Sequence, residues 1–545
     1  MRNTIFFILI LFCSILYMES TAQDIQRERP AEWNNLIFGG RFMDRFLPIP
    51  VIGELTSDTW GCQDVLPRYV DNGIEDNEWS YWGGNIRTGD DGKYHLIVCR
   101  WPENAEKGHM AWPNSEVAHA VSDNPLGPFK VKGKGIGKGH NPEFFRINDG
   151  RYVLYVMRAR YIADDISGPW TKSKFDFDPR DRKIIEGLSN VSFCQREDGS
   201  FMAVCRGGGI WISKTGLSPY YQVTNKSAYP PYDGRYEDPV IWKTNIQYHM
   251  IVNDWYGRIA YYLRSKDGME WKVEPGEAYM PGITTYTDGT EVDWYKYERI
   301  KVLQDEYGRA IQANFAVIDS SKWADLPNDH HSSKNIGIPL VKGRLLTILD
   351  NKKITPDTKE IRIKIEAEED FDPHNDIDIG SLRFGASEEV NFGGGCNVIK
   401  TEKEGDDLII VFDGKGNGLT NNNFAARLIG KTKSGQLLFG YARLPWITYI
   451  QPVLSARKPV ISAESNKSII EFEVQNFGEV TSKITPVKVK FEKGDKIISL
   501  EGSVPKLEPY EKQVVRLDYN GLLEAEGLKV TIKAEGQKMP LFIQD

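Results

Sequence analysis

Cysteine is scarce in this 545-residue chain: there are 6, and Cys13 sits inside an apolar N-terminal run. The others, Cys62, Cys99, Cys194, Cys205 and Cys396, are odd in number and match no zinc-ligand spacing. They read as small buried residues, with a Cys194–Cys205 disulfide left open because the two flank one hairpin. Histidine is also sparse, 8 in all. Asp329-His330-His331-Ser332 invites a metal reading, but it is one loop without further fixed ligands. No excess of positive charge exists: 68 Lys and Arg face 76 Asp and Glu, for a net charge of −8. That balance argues against nucleic acid as a partner. Beyond the first 23 residues no stretch reaches the roughly 18 to 20 apolar residues that span a bilayer, so no membrane span is expected.

Residues 1–23 have a basic start (Arg2), an apolar run from Ile5 to Tyr17 and a small-residue exit at Ser20-Thr21-Ala22. This is the pattern of a secretory signal peptide, so the expected location is periplasmic or secreted. About 520 residues remain, enough for roughly three domains. They are rich in aromatics (14 Trp, 25 Tyr, 24 Phe) and in turn formers (50 Gly, 28 Pro), a mixture that reads as all-β.

Internal similarity supplies the architecture. Five segments open at Gly84, His140, Asn190, Glu237 and Glu298; each is an apolar strand, a turn and a second strand. In three of them the turn is Asp-Gly, which favours a tight hairpin because glycine accepts positive φ. Four are followed by an outer hairpin, at Ala118–Val131, Tyr161–Thr171, Ile210–Val223 and Tyr261–Val273. Two hairpins per unit make a four-stranded blade. The expected fold is therefore a five-bladed β-propeller over residues 35–350, with the stretch near Leu36–Phe46 closing the ring against the last blade. Alternating strands after a polar linker predict two β-sandwich modules, residues 360–456 and 458–545. The second resembles immunoglobulin-like, cell-adhesion-related modules at Val474-Gln-Asn-Phe-Gly478 and Leu507-Glu-Pro-Tyr510. Asp372, Asp376 and Asp378 leave a structural calcium open but complete no known loop pattern; no other cofactor is implied.

The innermost strands of a propeller converge on its axis. Aligning the repeats by their turns puts His140, Ser189, Glu237 and Glu298 in one slot, and Asn141, Asn190, Asp238 and Arg299 in the next. Acids far apart in sequence thus gather at one mouth, where like charges push pKa values apart. The ends of the second strands return to that mouth with Arg100, Arg158, Arg206, Asn253 and Asp254, and arginines there can fork onto carboxylates or sulfates. Trp60, Trp82, Trp101, Trp211 and Trp255 offer stacking faces. His95 and His249 occupy equivalent second-strand sites and read as structural.

The units His140-Asn-Pro-Glu-Phe-Phe with Asp149-Gly-Arg-Tyr-Val-Leu-Tyr155, and Glu237-Asp-Pro-Val-Ile-Trp242, resemble blade openings of five-bladed glycoside hydrolases. Family 43 and its relatives (arabinanases, β-xylosidases, arabinofuranosidases) are the nearest analogues, with family 117 as a further one. The resemblance implies hydrolysis of a plant or algal polysaccharide or oligosaccharide by an acidic set: a general base, a pKa-modulating Asp and a general-acid Glu. Asp238, before Pro239, matches the modulating Asp, and Glu237, Glu298 and Glu143 are the other catalytic candidates. The sequence departs from the pattern at three places. Asn141 stands where an Asp precedes Pro. Glu186-Gly-Leu is about four residues farther from its turn than the acid's Glu-Gly-Pro, with Asn190 in the registered place. Gly84-Asn85 offers no acid, which leaves Asp64 in the preceding loop as the first-blade candidate. Two rival readings remain, a non-catalytic glycan-binding or adhesion protein and a polysaccharide lyase.

Overall fold

The computed structural model describes residues 26–59, 62, 64–157, 159–217, 219–331, 333–524 and 526–544. The leader, Trp60 and Arg158 lie outside the described residues. The chain is nearly all β, and no described helix is long and apolar enough to cross a membrane.

Five antiparallel sheets follow one another along the chain. The first orders Trp79–Thr88, Tyr94–Pro102 and Glu116–Ser122, with Lys130–Val131 and Gly137–Lys138 both paired to the third strand. The second is Glu143–Arg146, Tyr152–Val156, Ala159–Ala163 and Thr171–Ser173. The third is Ser192–Gln195, Phe201–Val204, Ile210–Ser213 and Tyr220–Gln222, extended by Phe177–Asp178 in parallel. The fourth is Tyr236–Lys243, Tyr248–Asp254, Ile259–Ser265 and Lys272–Tyr279, and the fifth is Lys296–Gln304, Ala310–Ile318 and Ser333–Pro339. Gly92, Gly150 and Gly199 of the three Asp-Gly turns have φ of 75°, 93° and 81°, the conformation that made them hairpin signals.

The first strands of these sheets touch in sequence order, and the first strand of the fifth touches that of the first, so the contacts form a closed circle. The N-terminal stretch completes the fifth sheet: Phe46 bridges Leu340, Leu47 N–H donates to Pro339 O (2.9 Å) and Val341 N–H to Arg45 O (2.8 Å). Chain from near residue 45 thereby caps an edge made some 290 residues later, removing an open edge. Apolar side chains fill the spaces between neighbouring sheets: Trp242, Ile251, Phe315 and Ile336 between the fourth and fifth, and Phe145, Tyr155, Phe193 and Trp211 between the second and third.

Arg344–Ile348 falls before residue 350, yet it joins the next unit. Arg344 and Leu345 run parallel to Gly440 and Tyr441, while Leu346–Ile348 pair antiparallel to Ile363–Ile365. One strand thus links two halves of a seven-stranded sheet that folds around Ile361, Ile363, Phe384, Leu428 and Leu438. Where two separate sheets were expected, a single sheet curls until it nearly closes, with Phe384 bridging Cys396. The last unit stacks two four-stranded sheets over Ile470, Phe472, Val489, Phe491 and Ile532, and takes in Leu454–Ala456.

These units are pinned to the five-sheet ring by buried arginines. Arg180 donates to Ser455 Oγ (3.2 Å), Ser455 O (2.9 Å) and Glu473 Oε1 (3.2 Å). Arg264 pairs with Glu274 (2.6 Å) and donates to Ser387 Oγ (2.8 Å). Cys62, Cys99, Cys194, Cys205 and Cys396 are all unpaired; Cys194 faces Met202 across its hairpin, so the disulfide with Cys205 does not form. Among the described residues no group of three or more His, Cys, Asp or Glu is arranged to hold a metal ion. The Asp372–Asp378 acids instead cap a turn, Asp372 Oδ2 accepting from Asn375 Nδ2 (2.7 Å) and Asp376 Oδ2 from Asp372 N–H (2.8 Å).

Candidate active site

The site is built from a backbone irregularity repeated at the start of every innermost strand. In the first, fourth and fifth sheets the pairing of the first two strands slips between Trp82 and Asn85, Glu237 and Val240, and Glu298 and Lys301. The residue after each of Trp82, His140, Ser189, Glu237 and Glu298 is left-handed: Gly83 (64°), Asn141 (55°), Asn190 (51°), Asp238 (56°) and Arg299 (55°). Gly, Asn and Asp tolerate this conformation, and an arginine there stores strain of about 1–3 kcal/mol. Such bulges re-aim side chains at strand ends. Structural register thus matches Trp82, not Gly84, with His140; Trp82, His140 and Ser189 each lie ten residues before the turn glycine of their hairpin (Gly92, Gly150 and Gly199), so opening the first repeat at Gly84 sets it two residues too late.

The five left-handed residues stand in a ring around the axis, and four of them are joined by hydrogen bonds. Asn141 Nδ2 donates to Asn190 Oδ1, and Asn190 Nδ2 donates to Asp238 Oδ1 (2.9 Å). Arg299 reaches Asp238 with Nη1 (2.7 Å to Oδ1) and with its backbone N–H (3.1 Å to Oδ2). The fifth position must be small: a Cβ on Gly83 would lie 3.3 Å from Arg299 Nε. Two residues further along each strand, a second layer closes the axis. Glu143 forms a buried ion pair with Lys301 and accepts from Phe193 N–H (2.8 Å), while Asn85 holds both backbone groups of Phe144 (2.9 Å each). Glu143 therefore plugs the floor and does not line the pocket.

Above the ring lies a pocket of about 330 Å³, lined by Trp82, His140, Ser189, Glu237 and Glu298 from the repeated slot, together with Asn141, Asn190, Asp238, Arg299 and Arg206. Trp112, Trp255, Tyr295 and Trp323 supply aromatic walls. Glu237 Oε1 accepts from Asn190 Nδ2 at 2.5 Å, and Oε2 is 3.8 Å from Arg206 Nη2. Burial, then the charges of Asp238 and Glu298, push the Glu237 carboxyl up to about 7, against the pull of Arg206. Glu298 is ion-paired through Oε2 with Lys322, and its Oε1 is buried with no hydrogen-bond partner. Arg299 Nε and Nη2, Arg206 Nε and Asn141 Oδ1 are likewise buried and unsatisfied. Unsatisfied buried donors and acceptors beside aromatic walls are what a polyhydroxylated ligand completes.

His140 is fixed by the wall. Its Nδ1 lies 3.0 Å from Ser115 Oγ, whose hydroxyl donates to Trp112 O (2.5 Å). Ser115 must then accept the Nδ1 proton, leaving Nε2 as the acceptor. Burial and the charges of Arg299 and Lys322 hold this imidazole neutral, well below its ordinary pKa.

Several sequence candidates fall elsewhere. Asp64 is exposed and does not line the pocket. Arg100 pairs with Glu116 (2.7 Å) over the face of Trp79. Asp254 is engaged by Arg27 (2.5 Å) and Arg235 N–H (3.0 Å). Asn253 borders an adjoining recess with Trp255 and Glu298. Trp101 and Trp211 are fully buried, Trp82 is buried in the pocket wall under Lys322, and Trp255 is half-buried on that wall. His95 stands in the first sheet with Nδ1 2.8 Å from His119 Nε2, and His249 Nδ1 is 2.6 Å from Tyr262 Oη. The sequence reading missed Lys322 and Trp323, which sit in the long loop between the last two strands of the fifth sheet, outside any repeat. It also missed Trp112, in a helical turn of the first sheet; the one available signal was the density of Trp in these loops.

A second cavity, about 210 Å³, lies where the fourth and fifth sheets meet the seven-stranded sheet, with an apolar wall including Phe42, Trp242, Leu340 and Phe439. Glu366 is the sole carboxylate on its wall among the described residues, so it offers no acid pair.

No family model matches the chain, and no curated protein matches it. Solved structures similar to it include an endo-arabinase from Bacteroides thetaiotaomicron, 13% identical, covering 53% of this chain and 98% of that one at a TM-score of 0.32. A family-43 β-xylosidase/α-arabinofuranosidase from a compost metagenome is 10% identical over 47% and 91%, at a TM-score of 0.29. A family-43 protein from Bacillus licheniformis is 9% identical over 85% and 88%, at a TM-score of 0.34. The chain resembles family-43 glycoside hydrolases among solved structures.

Proposed function

We propose that this chain is an exported glycoside hydrolase that trims sugars from the ends or side groups of a plant or algal glycan. In this reading the five sheets are the blades of a five-bladed propeller carrying the active site over about residues 35–343. The seven-stranded unit and a last, immunoglobulin-like sandwich follow it. The leader-like N-terminus supports export to the periplasm or beyond. The observation that carries the activity is Glu237, a carboxyl with its pKa pushed up to about 7, sharing an aromatic-walled pocket with the ion-paired carboxylate of Glu298.

Two carboxyl groups in different protonation states are what glycosidic cleavage needs. Glu237 gives its proton to the glycosidic oxygen as the bond from that oxygen to the anomeric carbon breaks. Glu298 takes a proton from the water that attacks the anomeric carbon, so H and OH of one water end on the two products. Asp238, held by Asn190 and Arg299, lies beneath Glu237, and its charge adds to burial in raising the proton affinity of Glu237. Trp112, Trp255 and Trp323 offer faces for sugar rings, and the Glu143–Lys301 plug makes the site a closed-bottomed pocket suited to a chain end.

The test is a screen of the mature protein against neutral and acidic polysaccharides, scored for released sugar, with Glu237→Gln and Glu298→Gln as controls. Sugar release by the wild type and its loss in both variants, with ligand affinity kept, is the expected result. Sugar binding without any product would favour the glycan-binding protein. Unsaturated products absorbing in the ultraviolet would favour a lyase.

A further inference from the structure

We propose that the sugar held in this pocket is anionic, with its carboxylate or sulfate bound by Arg206. The inference deepens the hydrolase reading of the same site and rests on it. The chain as a whole carries a net charge of −8, yet this pocket inverts the sign. Arg206, Arg299 and Lys322 line it against the carboxyls of Glu237, Asp238 and Glu298, and Lys296, which donates to Trp255 O (3.2 Å), lies on its wall. In the acid-competent form Glu237 is uncharged, which leaves two charged carboxylates. Glu186, half exposed and 3.6 Å from Arg206, is not part of the pocket lining. A cleft with low-dielectric walls concentrates the field of such an excess and draws ligands of opposite charge.

Arg206 is the cation placed to receive them. Asp238 takes Arg299 and Glu298 takes Lys322, each in a direct ion pair. The guanidinium of Arg206 instead stands off from both neighbouring acids, at 3.6 Å from Glu186 Oε1 and 3.8 Å from Glu237 Oε2, and its Nε is buried without a hydrogen-bond partner. Its backbone N–H is fixed to Ser189 O (3.0 Å), in the ring of residues opening on the pocket. A guanidinium with open donors prefers a planar or multi-oxygen anion, which it grips with two parallel hydrogen bonds. Below it, the free Nε and Nη2 of Arg299 add a second set of donors in the floor.

The experiment is calorimetric titration of Glu237→Gln protein, which holds the acid position uncharged, with glucuronic acid, galactose 6-sulfate, glucose and galactose. An acidic sugar binding at least about tenfold tighter than its neutral counterpart, with an affinity that falls as salt rises, is expected. The glucuronate and sulfate arms tell which anion the pocket takes. Arg206→Met in the same background should abolish the preference while neutral sugars bind within about twofold as before. If the Met variant fails to fold, Arg206→Lys keeps the charge without the fork and should retain part of the preference. Equal affinities, no binding by either acidic sugar, or a preference that survives Arg206→Met would overturn the inference. Acidic-sugar binding without hydrolysis of any glycan would end the hydrolase reading and leave this one standing. Hydrolysis of neutral glycans with no acidic preference would do the reverse.

Discussion

Replacing Asp238 with Asn isolates the charge that keeps Glu237 protonated. Both carboxylates accept from Asn190 Nδ2, at 2.5 and 2.9 Å, so their nearest oxygens are no farther apart than those two bonds laid end to end. Two charges at about 5 Å in an effective dielectric near 20 repel by about 3 kcal/mol, roughly two pKa units. Burial is the larger cause of the raised pKa and survives the substitution. The freed Arg299 adds a further downward pull. The alkaline limb of kcat/KM should therefore move from about 7 toward the acidic side by roughly one to two units. The substitution also strands a buried guanidinium at a cost of roughly 3–5 kcal/mol, so the Asp238→Asn, Arg299→Gln double variant should recover most of the lost stability. A pH–rate profile of each folded variant, with thermal unfolding alongside, reads both effects. An alkaline limb that stays in place in folded Asp238→Asn protein would refute the proposed coupling.

Other outcomes follow from the same geometry. Glu298→Gln should lower kcat by about 10²- to 10⁴-fold with little change in sugar affinity, measured by steady-state kinetics and calorimetry. Glu143→Gln should cost roughly 3–5 kcal/mol by stranding Lys301, seen in chemical unfolding, while the surviving folded protein keeps its turnover, because Glu143 touches the floor and not the pocket. Glu237 has a folded pKa above its ordinary value, so the folded state holds this proton more tightly than the unfolded chain does. Its stabilising contribution is complete below the ordinary Glu pKa of 4.5 and is lost as pH rises through about 7, by on the order of 3 kcal/mol; Glu237→Gln should flatten unfolding free energy across that window. Gly83→Ala should cost about 1–3 kcal/mol through its left-handed φ and disturb Arg299, lowering activity more than stability.

The sequence alone announced the all-β class and the five hairpin repeats, because hairpins are local: an Asp-Gly turn and the alternation around it lie within a dozen residues. It also placed Glu237, Asp238, Glu298, His140, Asn141, Asn190 and Arg299 in two shared slots, since the repeat carries its own register. What it left undecided depended on contacts between distant segments. Glu143 differs from Glu237 in fate because Lys301, 158 residues away, meets it across the axis. Arg100 and Arg206 occupy matching strand ends, but Glu116 engages the first fully and no acid closes on the second. The left-handed turn at Gly83, by contrast, was within reach of the sequence, because Gly83, Asn141 and Asn190 each lie nine residues before their turn glycine. Lys322 and Trp323 reach the pocket from a loop with no repeat to index it. Local sequence determines which elements form; burial and charge pairing across the closed circle of sheets decide which of their side chains are left open to a ligand.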